Sequence, residues 1–261
     1  MSFVRVHDGP SPIVLAFPHS GTFVPPEVEQ NLNETGLLLS DTDWHLPQLY
    51  AGLLPRATTV RAEFHRYVID ANRDPTGKSL YPGQATTDLI PTTDFDGQPI
   101  WKRGPDAAER MQRIVKYHEA YHRALRQALT RARDRNGYAI LYDCHSIRSQ
   151  IPRLFDGILP DFNIGTFDGK SCDPRLSAEV EAVCRDAKGF STVVNGRFKG
   201  GWTTRHYGRP ADGIHAIQME LAQSTHLETE TAPWAYSKTK AKRLREVLEE
   251  VLWNLDQWRP D

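Results

Sequence analysis

Short apolar runs that close on histidine or on an acid, separated by long helical patterns, constrain this chain more than any other feature. "PIVLAF" (12–17) leads into Pro18-His19-Ser20-Gly21, "YAILYDCHS" (138–146) carries His145, and "IHAIQMELAQ" (214–223) carries Glu220. Apolar runs of this length bounded by turn residues read as buried strands. In the last run the alternation is explicit: Ile217, Met219 and Leu221 fall on one face, Gln218 and Glu220 on the other. "ATTVRAEF", "RYVIDANRD" and "STVVNG" read as further strands. From Pro105 to Arg135 the pattern predicts one long helix, with proline in its first turn, apolar residues at Met111, Ile114, Val115 and Leu125, and a stop at Asn136-Gly137. "PRLSAEVEAVCRDA" is a second helix. The C-terminal "KTKAKRLREVLEEVLWNLDQW" is a third, amphipathic through Leu244, Val247, Val251 and Leu255. After His145 come some thirty irregular residues, more than a plain connection needs; Phe155, Phe162 and Phe167 mark them as an ordered binding loop. Alternating strands and helices predict an α/β sandwich with a mostly parallel sheet. With no repeat or long linker, residues 1–261 read as a single domain.

Charge adds exclusions. The formal net charge is -1 and the pI about 6.8, so no global field favours nucleic acid or an anionic membrane. No apolar run approaches the roughly 20 residues needed to span a bilayer. "MSFVRVHDGP" lacks the apolar core of a signal peptide. Three scattered cysteines, Cys144, Cys172 and Cys184, suit a reducing compartment. A cytoplasmic protein acting on a small molecule is the expectation; oligomeric state is not readable.

In open α/β sheets, ligands bind beyond the carboxyl ends of the strands. Those ends offer His19, the run Asn72-Arg73-Asp74, His145 and Glu220, with Asp41 and Asp43 in a polar turn before the next helix. Two histidines and a carboxylate form a common catalytic metal set, and a further carboxylate can take the proton from water. One of Asp41 and Asp43 also suits the N-cap of the helix through "LPQLYAGL". Cys144 neighbours His145 on a strand and so faces the opposite way, into the core. A second constellation competes: His118-Glu119-Ala120-Tyr121-His122 fits H-E-x-x-H, which on a helix puts both histidines on one face. Its helix is dense in Arg110, Arg113, Lys116, Arg123 and Arg126, a setting that opposes a divalent cation. His118 and His122 are therefore expected on the surface or in helix packing.

"PHSG", "SDTDWH", "RYVIDANRD", "YDCHSIRS", "PRLFDGILPDFNIGT", "FKGGWTTRHYG" and "GIHAIQMELAQ", in that order from about residue 12 onward, together resemble the N-formylglutamate amidohydrolase family. The resemblance implies a three-layer α/β/α sandwich with a mixed, mostly parallel sheet, zinc-carboxypeptidase-like. It implies zinc-dependent hydrolysis of N-formyl-L-glutamate to formate and L-glutamate, a late step of histidine degradation. His19 and His145 would be zinc ligands, with Asp43 the third and Asp41 its rival. Glu220 would be the general base, and Asn72 and Arg73 would grip a substrate carboxylate. N/O ligands of this kind also accept Co, Mn or Fe. A substrate with two carboxylates asks for more than one cation. Arg66, Arg73, Arg148, Arg153 and Arg205 lie in or beside the resembling blocks. Arg205 is the expected partner of Arg73, whereas strand alternation would put Arg66 on the opposite face. The rival readings are a related deacylase or carboxypeptidase-like hydrolase, and a non-catalytic binder of acidic ligands with the same fold.

Overall fold

The computed structural model describes residues 3–78 and 86–260. Its strands are β1 (Val4–His7), β2 (Ile13–Phe17), β3 (Thr58–Ala62), β4 (Ala139–Ile147), β5 (Phe162–Gly165), β6 (Thr192–Val194) and β7 (Ile214–Ala222). They form one seven-stranded sheet in the order β1-β3-β2-β4-β7-β5-β6. β3, β2, β4 and β7 are mutually parallel, while β1 pairs antiparallel with β3 and β5 antiparallel with β7. The sheet is thus mixed with a parallel centre. The central strands are buried on both faces, which is why they read as continuous apolar runs.

The helices are α1 (Pro26–Glu29), α2 (Glu34–Leu37), α3 (Leu46–Tyr50), α4 (Ala107–Arg113), α5 (Glu119–Asn136), α6 (Pro174–Asp186), α7 (Trp202–Tyr207) and α8 (Lys238–Gln257). On one face of the sheet, Leu15, Tyr142, Cys144, Met219 and Leu221 pack against α3, α6 and α8 through residues such as Leu176, Leu244 and Leu248. On the other, Val14, Ala16, Leu141 and Ala216 pack against Tyr121, Leu125 and Leu129 of α5. This is a three-layer α/β/α arrangement. No helix among the described residues is long and apolar enough to cross a membrane.

Four local expectations change. "RYVIDANRD" is not a strand but a succession of turns. Val68, Ile69 and Ala71 are fully buried, as apolarity demands, yet the backbone finds its partners off any ladder: Asp70 N–H donates to Leu89 O, and Asn72 N–H to Asp70 Oδ1. Apolar content reports burial, and the hydrogen-bond accounting alone decides between strand and turn. The 105–135 helix starts at Asp106, which forms a capping box with Glu109, and passes through a π turn at Ile114–His118 before α5. Met111, ahead of that turn, is exposed, and within the turn Val115 is exposed while Tyr117 and His118 are buried, a phase a regular helix would not give. The irregular stretch after His145 contains β5, and the N-terminal β1 gave no clear pattern. Neither Asp41 nor Asp43 caps α3; His45 occupies that N-cap without a side-chain cap.

Candidate active site

β4 and β7 lie in register, pairing Leu141 with Ala216, Asp143 with Gln218 and His145 with Glu220. Along this face the period of two carries each strand from apolar packing against α5 into polar side chains at its carboxyl end. His19 follows β2, parallel to β4, and so arrives beside His145. Asp43 is brought in by its backbone, whose N–H donates to His19 O, while its Oδ2 accepts from Ser146 N–H.

The three side chains converge on a point. His19 Nδ1 and His145 Nδ1 are 3.2 Å apart, and Asp43 Oδ2 lies 3.9 Å from the first and 3.3 Å from the second. Donors held about 2.0–2.1 Å from a tetrahedral ion sit roughly 3.3–3.4 Å from one another, so this spacing fits a first-row divalent metal. Among the described residues this trio is the group of His, Cys, Asp and Glu side chains that could hold one. The outward nitrogens support the same orientation. His19 Nε2–H donates to Asp70 Oδ1 at 2.6 Å, and His145 Nε2 sits 3.2 Å from Asp143 Oδ1. Such carboxylates fix the tautomer that leaves Nδ1 facing a metal. Asn72 Nδ2 is also 3.1 Å from His145 Nε2, but Asn72 Oδ1 already accepts from Thr203 N–H. The nitrogens of Asn72 and His145 therefore meet donor to donor if Nε2 carries the proton, with the Asp143 carboxylate 3.2 Å away as the nearby negative charge.

Charge is concentrated here. Burial, reinforced by Arg66, holds His19 below the usual imidazole range. Burial works against a charge on His145 too, yet Asp143 and Asp43 outweigh it and hold the imidazole well above its ordinary value. Burial also pushes the Glu220 carboxyl up to about 8 against the pull of His145. Gln218 Nε2–H donates to Glu220 Oε2 at 3.2 Å, and Gly201 N–H donates to Gln218 Oε1. Asp70 stays ionised far below the usual range: burial opposes this, but Arg66 and His19 prevail.

A cleft opens over the trio, and Glu220, Arg66, Asn72, Arg73 and Arg197 all line it. Arg66 and Arg73 share the cleft because the intervening chain is turns: Arg66 donates to Asp70 Oδ2 at 2.6 Å, and Arg73 reaches within 3.9 Å of the same oxygen. Arg73 is further held by Thr87, through Nε–H to its carbonyl and Nη2–H to its hydroxyl. Arg205 is not part of the lining. Its Nε–H donates to Gly200 O and its guanidinium lies over Phe167. Arg197, which the sequence pattern did not single out, lines the cleft instead, anchored on Leu154 O. Asp41 is buried apart from the trio, accepting from Phe95 N–H, and burial raises it to about 7. Cys144 faces the core, as expected. His118 and His122 are helix-packing residues and not surface ones. Asp70, Asp143 and Gln218 were missed, although each stands two residues before a singled-out Asn72, His145 or Glu220. On the strands that spacing alone puts Asp143 and Gln218 on the site face.

The family model for N-formylglutamate amidohydrolase matches residues 11–227. A Pseudomonas aeruginosa protein named N-formylglutamate deformylase is 48% identical over 262 residues, covering 99% of this chain and 96% of its own. A Pseudomonas putida protein of the same name is 49% identical over 255 residues, covering 97% and 95%. The crystal structure of N-formylglutamate amidohydrolase from Ralstonia eutropha JMP134 superposes with a TM-score of 0.80 at 27% identity, over 98% of each chain. A gene product of Agrobacterium tumefaciens shares the fold at a TM-score of 0.72 and 19% identity, covering 98% of this chain and 95% of its own. With a family model matching most of its length and relatives nearly half identical end to end, the chain belongs to the N-formylglutamate amidohydrolase family.

Proposed function

We propose that this chain hydrolyses N-formyl-L-glutamate to formate and L-glutamate, with zinc held by His19 Nδ1, His145 Nδ1 and an Asp43 oxygen, and with Glu220 as general base. The observation that carries the reading is the convergence of those three donors beside a buried carboxyl on the adjacent strand. The substrate is taken from the names of relatives about half identical to this chain. When bound, zinc supplies Lewis-acid polarisation of the formyl oxygen and acidifies water.

The chain's own groups do the rest. Glu220, desolvated to a proton affinity near neutrality, accepts the proton of the water that adds to the formyl carbon. It then delivers that proton to the amide nitrogen as the C–N bond breaks, releasing formate and the free amine. Gln218 orients the carboxyl. Arg66 is committed to Asp70 and keeps that carboxylate charged behind His19. Arg73, aligned by Thr87 and neighbouring Asn72, takes one substrate carboxylate, and Arg197 across the lining takes the other. Arg205 supports the loop at Gly200 and is not a ligand-binding residue in this reading.

The test is formate release from N-formyl-L-glutamate, with N-acetyl-L-glutamate and N-formyl-L-aspartate in parallel, before and after chelation and zinc add-back. Release from the first substrate alone, lost with chelator and restored by zinc, is the expected result. Preference for the acetyl compound would make the protein a related deacylase. Stoichiometric zinc with no turnover of any of the three would remove the proposed substrate.

A further inference from the structure

The H-E-x-x-H run, with His118 ending the π turn and His122 on α5, takes no part in the proposed chemistry, yet both its histidines are buried, at 2% and 4% exposure, where α5 is otherwise rich in exposed cations. His118 Nε2 lies 2.9 Å from Arg73 O, and His122 Nε2 lies 2.7 Å from Ala71 O. A carbonyl oxygen only accepts, so each Nε2 carries a hydrogen and has no lone pair to offer a metal. His122 Nδ1 faces the Tyr207 hydroxyl at 3.1 Å. Burial holds both imidazoles below their ordinary values, which keeps them neutral.

The two carbonyls flank Asn72. They belong to the turns that replace the expected strand, where among the described residues no neighbouring strand satisfies the backbone, and a buried carbonyl left without a donor is destabilising. The same turns carry Asp70, Asn72 and Arg73 into the site. Trp202 packs on both imidazoles, with ring centroids 5.5 and 4.7 Å away, and its neighbours Gly201 and Thr203 supply the N–H groups that hold Gln218 and Asn72. The π turn at Ile114–His118 ends on His118, which it buries, and leads directly into the α5 turn that carries His122.

We infer that His118 and His122 are positioning residues, a pair of imidazole N–H donors that clamp the Ala71 and Arg73 carbonyls and so set Asn72 and Arg73 in the substrate cleft. The inference rests on the proposed role of Arg73 in holding a substrate carboxylate. The clamp acts on the binding wall and not on Glu220, so its loss falls on KM.

His118→Ala should raise KM for N-formyl-L-glutamate about tenfold with kcat within about twofold and zinc content unchanged, and His118→Gln, whose amide can donate to the same carbonyl, should restore most of the loss. In an Arg73→Ala background, His118→Ala should add less than about twofold, because the two substitutions remove one interaction. Unchanged KM in folded His118→Ala, or effects that multiply in the double variant, would overturn the clamp. A second measurement needs no substrate. The 15N-histidine spectrum of the wild-type protein should contain two neutral Nε2–H imidazoles, assigned through His118→Gln and His122→Gln, that stay fixed when zinc is added to the metal-free protein. A zinc response at either would overturn the inference even if N-formyl-L-glutamate proved not to be the substrate. Failure to hydrolyse that compound, with this spectrum as expected, would count against the functional reading alone.

Discussion

Glu220 and Asp41 are both buried carboxyls whose proton affinity burial raises, to about 8 and about 7, but their neighbours put them to different uses. Glu220 lines the same cleft as His19, Asp43 and His145 and, in the proposed reaction, has a proton to move. Glu220→Gln keeps its shape, so metal content should be unchanged while kcat falls by about three orders of magnitude, the middle of the range for losing a general base. Parallel metal analysis and steady-state kinetics check both halves. Asp41 lies away from the trio, and its shift is a stability matter. Its folded value exceeds the usual carboxylate value of 3.8, so the native state binds more protons than the unfolded chain between about pH 4 and 7. Stability is therefore greatest at the acid end of that window and falls as pH rises through it, by at most about 4 kcal/mol at about 1.4 per unit. Asp41→Asn should flatten this decline and raise Tm at pH 8 more than at pH 5. A pH series of thermal melts decides it.

At the scale of elements, period two in β4 and β7 does most of the building. One face of each strand packs on α3, α6 and α8, and the other turns from apolar to polar where the helix layer gives way to the cleft. Helix α7 closes that cleft at its N-terminal turn, where Gly201 leaves no room for a side chain: a Cβ there would stand 2.3 Å from Asn72 Nδ2. Gly201 has an ordinary extended backbone, so the demand is for space and not for a special conformation. Gly201→Ala should displace Asn72, cost about 1–3 kcal/mol by overpacking and lower kcat/KM at least tenfold. Denaturant melts and kinetics on the same preparation check it. Elements were legible where they were long and regular: β2, β4, β7, α6 and α8 stand where periodicity puts them. The 105–135 helix was legible in extent but not in phase, because a π turn inserts a residue that no 3.6-residue template contains.

For the whole molecule, the proposed metal centre joins segments far apart in the chain, with His19 and His145 separated by 126 residues. A ligand that binds only the folded state stabilises it by mass action, by about 2.7 kcal/mol at one hundred times its Kd. Adding zinc to chelated protein should raise Tm by roughly 5–10 °C, given some 2–4 °C per kcal/mol for chains near this size. His145→Ala should abolish the rise. A metal-free protein whose Tm ignores zinc would mean that the trio does not hold it.

The sequence by itself determined the layers of this protein, because burial patterns are local: an apolar run or an apolar stripe states which face is inside, whatever lies against it. It also placed His19, His145 and Glu220 at strand ends, since strand direction and alternation follow from the same periodicity. Tertiary structure decided what depends on partners distant in the chain. It made "RYVIDANRD" a set of turns, because Leu89, Arg113, His118 and His122 satisfy backbone groups that a sheet would otherwise have claimed. It brought Arg66 and Arg73 to one carboxylate, put Arg197 in the lining where Arg205 was expected, and separated Asp43 from Asp41. It also committed Nε2 of both H-E-x-x-H histidines to backbone carbonyls and, among the described residues, gathered no further His, Cys, Asp or Glu donors around them.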